Sequence, residues 1–203
     1  MSQTRKNNNL RNLTLMAILT AIMVVLGIVN IPMPAGLSIT FNMIPVAIGG
    51  IAMGLWGGAA MGAVFGLISF LQCFGICGVS GMGAALIAVT PWWMSFLQRF
   101  VTRVLMGFLT ALIYRELNRA RLNTYVRCAI TGFSSAFLNT LFFMSALVLI
   151  FGHTEYMQEK MAGRAFLTYI VASVGVNGLV EMATAAILTG AIGVALQKAR
   201  LIT

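Results

Sequence analysis

The chain has 203 residues, of which 60% are hydrophobic and only 8% are charged. Its apolar runs are too long for a water-soluble core and continue to the last few residues, so the composition predicts an integral membrane protein and excludes a polar domain behind a cleaved signal. The formal net charge of +9 does not indicate nucleic-acid binding, because the basic residues are scattered among apolar segments and short loops and form no continuous basic face.

The hydrophobic runs predict six membrane-spanning helices, an all-α fold that we treat as a single membrane domain over residues 1–203. The six lie approximately at 12–30, 42–55, 57–72, 91–114, 126–151 and 164–196. No charge separates the second from the third, but one helix from Asn42 to Phe70 would be about 45 Å long, well beyond a hydrocarbon core of about 30 Å. We therefore expect the chain to turn back in "GLWGG", residues 54–58.

Glycines recur every fourth residue through this predicted hairpin, at Gly50, Gly54, Gly58, Gly62 and Gly66. Small residues at this spacing favour close approach of helix backbones in lipid. A phosphate-binding loop would also need the lysine and hydroxyl of a Walker motif, and these are absent from the segment. The pattern predicts packing rather than nucleotide binding.

Lysines and arginines form three groups, which mark the cytoplasmic side by the positive-inside rule. The groups precede the first span, flank the connection between the fourth and fifth, and end the chain: Arg5, Lys6 and Arg11; Arg115, Arg119, Arg121 and Arg127; Lys198 and Arg200. With six spans, both termini are therefore expected in the cytoplasm. The loops around "IPMPAGLSIT", "CFGICGVSGMG" and "FGHTEYMQEK" are expected on the opposite side.

Polar residues recur at a spacing of four in three predicted spans, which places each set on one helix face. Charged groups at membrane depth cost roughly 2.5–3.5 kcal/mol each even on the mildest insertion scale, so they normally face the bundle interior and have a partner. The fourth span carries Ser95, Arg99, Arg103 and Gly107; the fifth carries Thr131, Ser135 and Asn139; the sixth carries Ser173, Asn177 and Glu181; and the third ends on Ser69 and Gln72. We expect these faces to line a water-accessible site.

The charges on these faces do not balance. Glu181 is the only carboxylate within a predicted span, so if it pairs with Arg99 or Arg103 the other arginine lacks a counter-charge. The sequence does not tell which arginine would pair. An uncompensated guanidinium fits a ligand carboxylate with two hydrogen bonds. In the alternative, both arginines share Glu181 and backbone carbonyls as internal support.

Amide side chains at similar depth would complete such a site. Gln72, Asn139 and Asn177 can donate to and accept from hydroxyl and amide groups of a ligand. Each taken alone also fits a hydrogen bond between helices. Trp92 either belongs to the aromatic belt of the membrane interface or caps the site.

The order of several segments along the chain resembles a known family. "MAILTAIM", which holds Ala17 and Ala21, is followed by "NMIPVAIGGIAMGLWGGAAMGAVFGLISFLQCFG", "RVLMGFLTALIY", "FLNTLFFMSALVLIFG" and "VNGLVE". This set resembles the substrate-binding S components of energy-coupling factor (ECF) transporters, and within them the pantothenate-type proteins. The similarity covers nearly the whole chain, from about Asn12 to Leu196.

The resemblance implies six helices with cytoplasmic ends, a vitamin site closed by extracellular loops, and uptake driven by an ECF module of a transmembrane coupling protein and two cytosolic ATPases. It implies docking of the coupling protein at Ala17 and Ala21, and it gives ligand roles to Gln72, Arg99, Arg103, Asn139, Asn177 and Glu181. Pantothenate has one carboxylate, an amide and two hydroxyls, which suits one surplus arginine beside several amides. Riboflavin is neutral and folate carries two carboxylates, so both fit less well. No enzyme activity, cofactor or metal ion is expected.

Two other function classes remain as alternatives. "GVSG" with Ser80 resembles the G-x-S-G of rhomboid-type intramembrane proteases, with His153 as the base. That dyad needs the serine at a helix start within the membrane and the histidine on a neighbouring span, whereas both residues fall in predicted outer loops. A structural or assembly subunit without a ligand is the second alternative, in which the polar faces only link helices.

Overall fold

The computed structural model of the chain is all-helical apart from one short strand pair. It describes residues 2–28, 31–32, 38–120, 122–161 and 166–199, with side chains described at these positions except 2–9, 31–32, 38–39, 160–161, 166–174 and 176–177. The helices are α1 (Ser2–Ile28), α2 (Met43–Leu71), α3 (Gly81–Val89), α4 (Trp92–Arg119), α5 (Thr124–Phe151), α6 (Glu155–Met161) and α7 (Phe166–Lys198). Strands β1 (Ile31–Pro32) and β2 (Ser38–Ile39) pair antiparallel between α1 and α2.

Within the described residues, five helical segments are long and apolar enough to cross a membrane. They are Leu10–Ile28, Met43–Phe74, Trp92–Arg119, Thr124–Phe151 and Gly178–Lys198. The first, fourth and fifth predicted spans coincide with the first, third and fourth of these segments to within a few residues. The second and third predicted spans fall together in Met43–Phe74, and α7 is interrupted at Gly175.

Helix α2 is broken at Gly54, whose backbone has φ 74° and ψ −162°, a conformation open mainly to glycine. The segments on either side pack against each other, since a β-carbon on Gly49 would lie 2.5 Å from the Cγ of Met61. In an uninterrupted helix these two positions would be about 18 Å apart. The chain therefore bends back at the first residue of the predicted turn.

Glycines pack the helices into two close pairs. A β-carbon on Gly58 would overlap the carbonyl oxygen of Gly107, and one on Gly62 would overlap the carbonyl oxygen of Arg103, so the second half of α2 lies directly against α4. Likewise a β-carbon on Gly132 would overlap the carbonyl oxygen of Ala185, which joins α5 to α7. This is the packing that the four-residue glycine spacing predicts.

The connections before α4 and after α5 contain two short helices, α3 and α6, that the sequence analysis treated as loops. Helix α3 forms despite its glycines because the Ser80 hydroxyl accepts a hydrogen bond from the Gly83 backbone N–H at 3.2 Å, which caps its first turn. Its Met82 and Leu86 are buried with Met157 of α6 in one apolar cluster. Tertiary packing of this face compensates for the weak helix propensity of "GMGAALIAV".

Candidate ligand-binding site

Arg99 is buried in the bundle and its guanidinium is held by neutral groups of the protein. Its Nη1 donates to the carbonyl oxygen and to the hydroxyl of Ser69, at 3.0 and 2.9 Å, and its Nη2 donates to the Ser80 hydroxyl at 3.1 Å. These bonds tie α4 to the end of α2 and to the cap of α3. Arg99 therefore acts as a support that joins three helices.

Arg103, one turn further along α4, is equally buried but has few polar partners. Its guanidinium carbon lies 4.7 Å from the ring centre of Phe65 and 4.6 Å from that of Phe143. Its one hydrogen bond to a described residue is long, 3.4 Å from Nη1 to the Thr102 hydroxyl, and Nε has no partner among the described atoms. Two aromatic rings thus fix the cation in place, while most of its N–H donors have no acceptor among the described residues.

Glu181 forms no direct ion pair with either arginine in the described part of the chain, although it is near enough to Arg103 to interact with it electrostatically. Its carboxylate accepts a hydrogen bond from the backbone N–H of Thr40 at 3.1 Å, and the ion pairs in the described part of the chain join Glu116 to Arg115 and Arg119 at the end of α4. The direct pairing that the sequence left open, of Glu181 with Arg99 or Arg103, is not among the ion pairs of the described residues. Neither guanidinium is directly bonded to a described carboxylate.

Asn139 lies at the level of Arg103 on the facing helix. Gln98 Nε2 donates to the Phe143 carbonyl oxygen at 3.4 Å, and the Ser135 hydroxyl lies 3.5 Å from the Met106 sulfur, which fixes the antiparallel register of α4 and α5. Midway between these contacts, Asn139 stands opposite the turn of α4 that carries Arg103. Its side-chain oxygen is buried and has no hydrogen-bond partner among the described residues.

The other predicted site residues have different surroundings. The Gln72 amide nitrogen donates to the carbonyl oxygens of Gly27 and Cys77, at 3.2 and 3.3 Å, so it links the end of α1 to the connection between α2 and α3. Trp92 is 61% exposed and its ring packs against Phe70, with the ring centres 6.5 Å apart. Asn177 falls in α7, but its side chain lies outside the described residues.

Four residues of this region were missed by the sequence analysis. Phe65 and Phe143 look in sequence like any lipid-facing phenylalanine, and Ser80 was assigned to loop chemistry. Asn42 is wholly buried with neither amide atom bonded to a described residue. It was assigned only to the start of a span, where asparagine is common for other reasons.

Comparison with known proteins identifies the chain. A family model described as the ECF transporter, substrate-specific component, matches residues 11–193. The chain belongs to this family. The S component is also 31% identical to the "Pantothenic acid transporter PanT" of Lactococcus lactis subsp. cremoris (strain MG1363), over 96% of its own length and 98% of the relative's. These matches confirm the family resemblance of the ordered segments.

Family membership makes the S component a substrate-binding transport subunit of the membrane, with a vitamin as substrate and an ECF ATPase module as partner, rather than an enzyme. The protease alternative gains no support from the geometry. The Ser80 hydroxyl accepts bonds from Arg99 and from the Gly83 N–H, whereas His153 is exposed in the turn after α5. Ser80 is therefore a structural residue.

Proposed function

We propose that this S component binds pantothenate from the outer side of the membrane and delivers it together with an ECF module of one transmembrane coupling protein and two cytosolic ATPases. The observation that carries the proposal is Arg103, a buried guanidinium clamped between Phe65 and Phe143 whose only hydrogen bond to a described residue is long. A buried ion that is not directly bonded to a counter-charge costs several kcal/mol. A ligand carboxylate would offset that cost and accept the N–H donors in a bidentate arrangement.

The number of carboxylates in the ligand follows from the different surroundings of the two arginines. Arg99 uses both terminal nitrogens on Ser69 and Ser80, so one guanidinium is left for the ligand. Pantothenate has one carboxylate, which matches this count. Neutral riboflavin would leave Arg103 uncompensated, and folate would bring a second carboxylate without a second open guanidinium. The name of the Lactococcus relative supports the same choice.

Amide groups near Arg103 would hold the neutral part of the molecule. Asn139 is level with Arg103, and its buried side-chain oxygen accepts no hydrogen bond from a described residue. This oxygen could therefore accept a hydrogen bond from a hydroxyl or N–H group of the ligand. Glu181, whose carboxylate accepts a hydrogen bond from the Thr40 N–H, would contribute to the ligand site from α7. Ligand contacts by Asn177, Gln72 and Trp92 stay predictions from the sequence.

For the topology we propose one membrane domain over residues 1–203, with six spans and both termini in the cytoplasm. The bend at Gly54 supports the sixth span, because it folds the two halves of α2 against each other. Arg115 and Arg119 at the end of α4 support a cytoplasmic position for the connection to α5. The coupling protein would dock on α1, where Ala17 and Ala21 are exposed.

Pantothenate and panthenol provide a direct test, since panthenol carries a hydroxymethyl group in place of the carboxylate and is otherwise the same. Isothermal titration of the purified S component in detergent should give saturable binding of pantothenate and at least about 100-fold weaker binding of panthenol, because loss of one member of a buried ion pair costs about 3–5 kcal/mol. Equal affinity for the two compounds, or no binding of pantothenate, would overturn the proposal.

A further inference from the structure

Asn42 is the buried side chain whose polar atoms are least accounted for in the described part of the chain. Its relative exposure is 0%, and neither the amide nitrogen nor the amide oxygen has a described hydrogen-bond partner. Buried amides are nearly always hydrogen-bonded, because leaving the donor or the acceptor unmet carries the full cost of removing it from water. Asn42 therefore needs an explanation.

Helix capping, the usual reason for asparagine at a helix start, does not apply here. Asn42 precedes the first turn of α2, yet its side chain makes no capping bond. The two N–H groups that a cap would serve are not open to it, since the Ile44 N–H donates to the Phe41 carbonyl oxygen at 3.0 Å and Pro45 has no N–H. The nitrogen and the oxygen of the Asn42 side chain therefore both remain without a hydrogen-bond partner among the described residues.

The backbone around Asn42 is anchored to the helices that form the candidate site. Two residues earlier, the Thr40 N–H donates to Glu181 of α7 at 3.1 Å. One residue later, the Met43 carbonyl oxygen accepts from the Ser135 hydroxyl of α5 at 3.1 Å. Ser135 stands one helical turn from Asn139, whose own amide oxygen is also buried without a partner. The backbone on either side of Asn42 is thus bonded to α5 and α7, the helices that carry Asn139 and Glu181.

We infer that Asn42 recognises the hydroxyl-bearing end of the ligand, while Arg103 binds the carboxylate. A hydroxyl both donates and accepts, so it can serve the oxygen and the nitrogen of one amide side chain together. This inference rests on the proposed function and adds the orientation of the ligand: the charged end lies at α4 and the hydroxyl end lies at the start of α2. Asn42 is then a specificity residue rather than a structural one.

Asn42→Leu removes both polar atoms, keeps the number and branching of the side-chain heavy atoms, and tests the assignment. Affinity is measured for pantothenate and for an analogue in which both hydroxyls are replaced by hydrogen. We expect the variant to bind pantothenate at least about tenfold more weakly and to bind the analogue about as well as the wild type does. The ligand-free variant should melt no lower than the wild type, because no hydrogen bond to a described residue is lost.

Asn123→Leu is the matched control, because Asn123 is a true cap whose side chain accepts from the Tyr125 N–H at 3.0 Å. It should lower the melting temperature and leave both affinities unchanged. Unchanged pantothenate affinity in Asn42→Leu, an equal loss for both ligands, or a melting temperature that falls as in Asn123→Leu would each overturn the inference. If wild-type protein binds pantothenate but Asn42→Leu also binds it normally, only this inference fails; if wild-type protein does not bind pantothenate, the proposed function fails with it.

Discussion

Replacing Arg103 by methionine, and comparing the result with Arg99→Met, should show which arginine binds the ligand and which one supports the fold. The Arg103 guanidinium makes one hydrogen bond to a described residue, at 3.4 Å to the Thr102 hydroxyl, and contacts the rings of Phe65 and Phe143. Each ring contact contributes about 0.5–2 kcal/mol, whereas burying the ion costs several kcal/mol, and the methionine thioether still packs against both rings. The free energy of unfolding of the ligand-free variant is therefore expected not to fall.

Pantothenate affinity should respond in the opposite way. Without Arg103 the ligand carboxylate would be buried and unpaired, which costs about 3–5 kcal/mol, or a weakening of at least about 100-fold. Arg99→Met serves as the comparison, because it breaks three hydrogen bonds of 2.9–3.1 Å and should lower the unfolding free energy by about 2–4 kcal/mol. Thermal unfolding in detergent and isothermal titration measure the two effects. Wild-type affinity in Arg103→Met would refute the reasoning.

Two further predictions concern the cap of α3 and the exposed face of α1. Ser80→Ala should lower the unfolding free energy by about 1–2 kcal/mol and leave pantothenate affinity within about twofold, because Arg99 keeps its bonds to Ser69; a loss of affinity as large as that of Arg103→Met would place Arg99 at the ligand instead. Ala17→Trp and Ala21→Trp should retain binding in the purified protein and block uptake by cells that contain the ECF module, because both positions are exposed on α1 and a bulky ring would separate the docked surfaces. Leu149→Trp, on an exposed position of α5, should leave uptake intact, and normal uptake by both alanine variants would reject the docking role.

Much of the helical framework was predictable because membrane-spanning helices follow from hydropathy and length. The run at 126–151 became α5, and the turn expected in "GLWGG" is a break at Gly54, where the excess length of an uncharged segment had to be resolved. The two short helices, α3 and α6, were not predictable from local propensity. Helix α3 depends on the Ser80 cap and on contacts of Met82 with residues distant in sequence.

The burial of the two arginines of the candidate site was predictable, but their contacts were not. A spacing of four places Arg99 and Arg103 on one face, and both are buried there, but spacing does not show which groups each guanidinium meets. The Arg99 guanidinium donates to the hydroxyls of Ser69 and Ser80. Helix periodicity does not predict these contacts, because both serines lie outside α4. Glu181 accepts a hydrogen bond from the Thr40 backbone N–H, a contact that helix periodicity does not predict.

The central claim is that the carboxylate of the ligand binds the Arg103 guanidinium. A structure of the S component with pantothenate bound tests this claim most directly. The account predicts both carboxylate oxygens at about 2.7–2.9 Å from nitrogens of the Arg103 guanidinium, with the Phe65 and Phe143 rings still on either side. A pantothenate carboxylate bound elsewhere, with Arg103 still bonded only to Thr102, would contradict it.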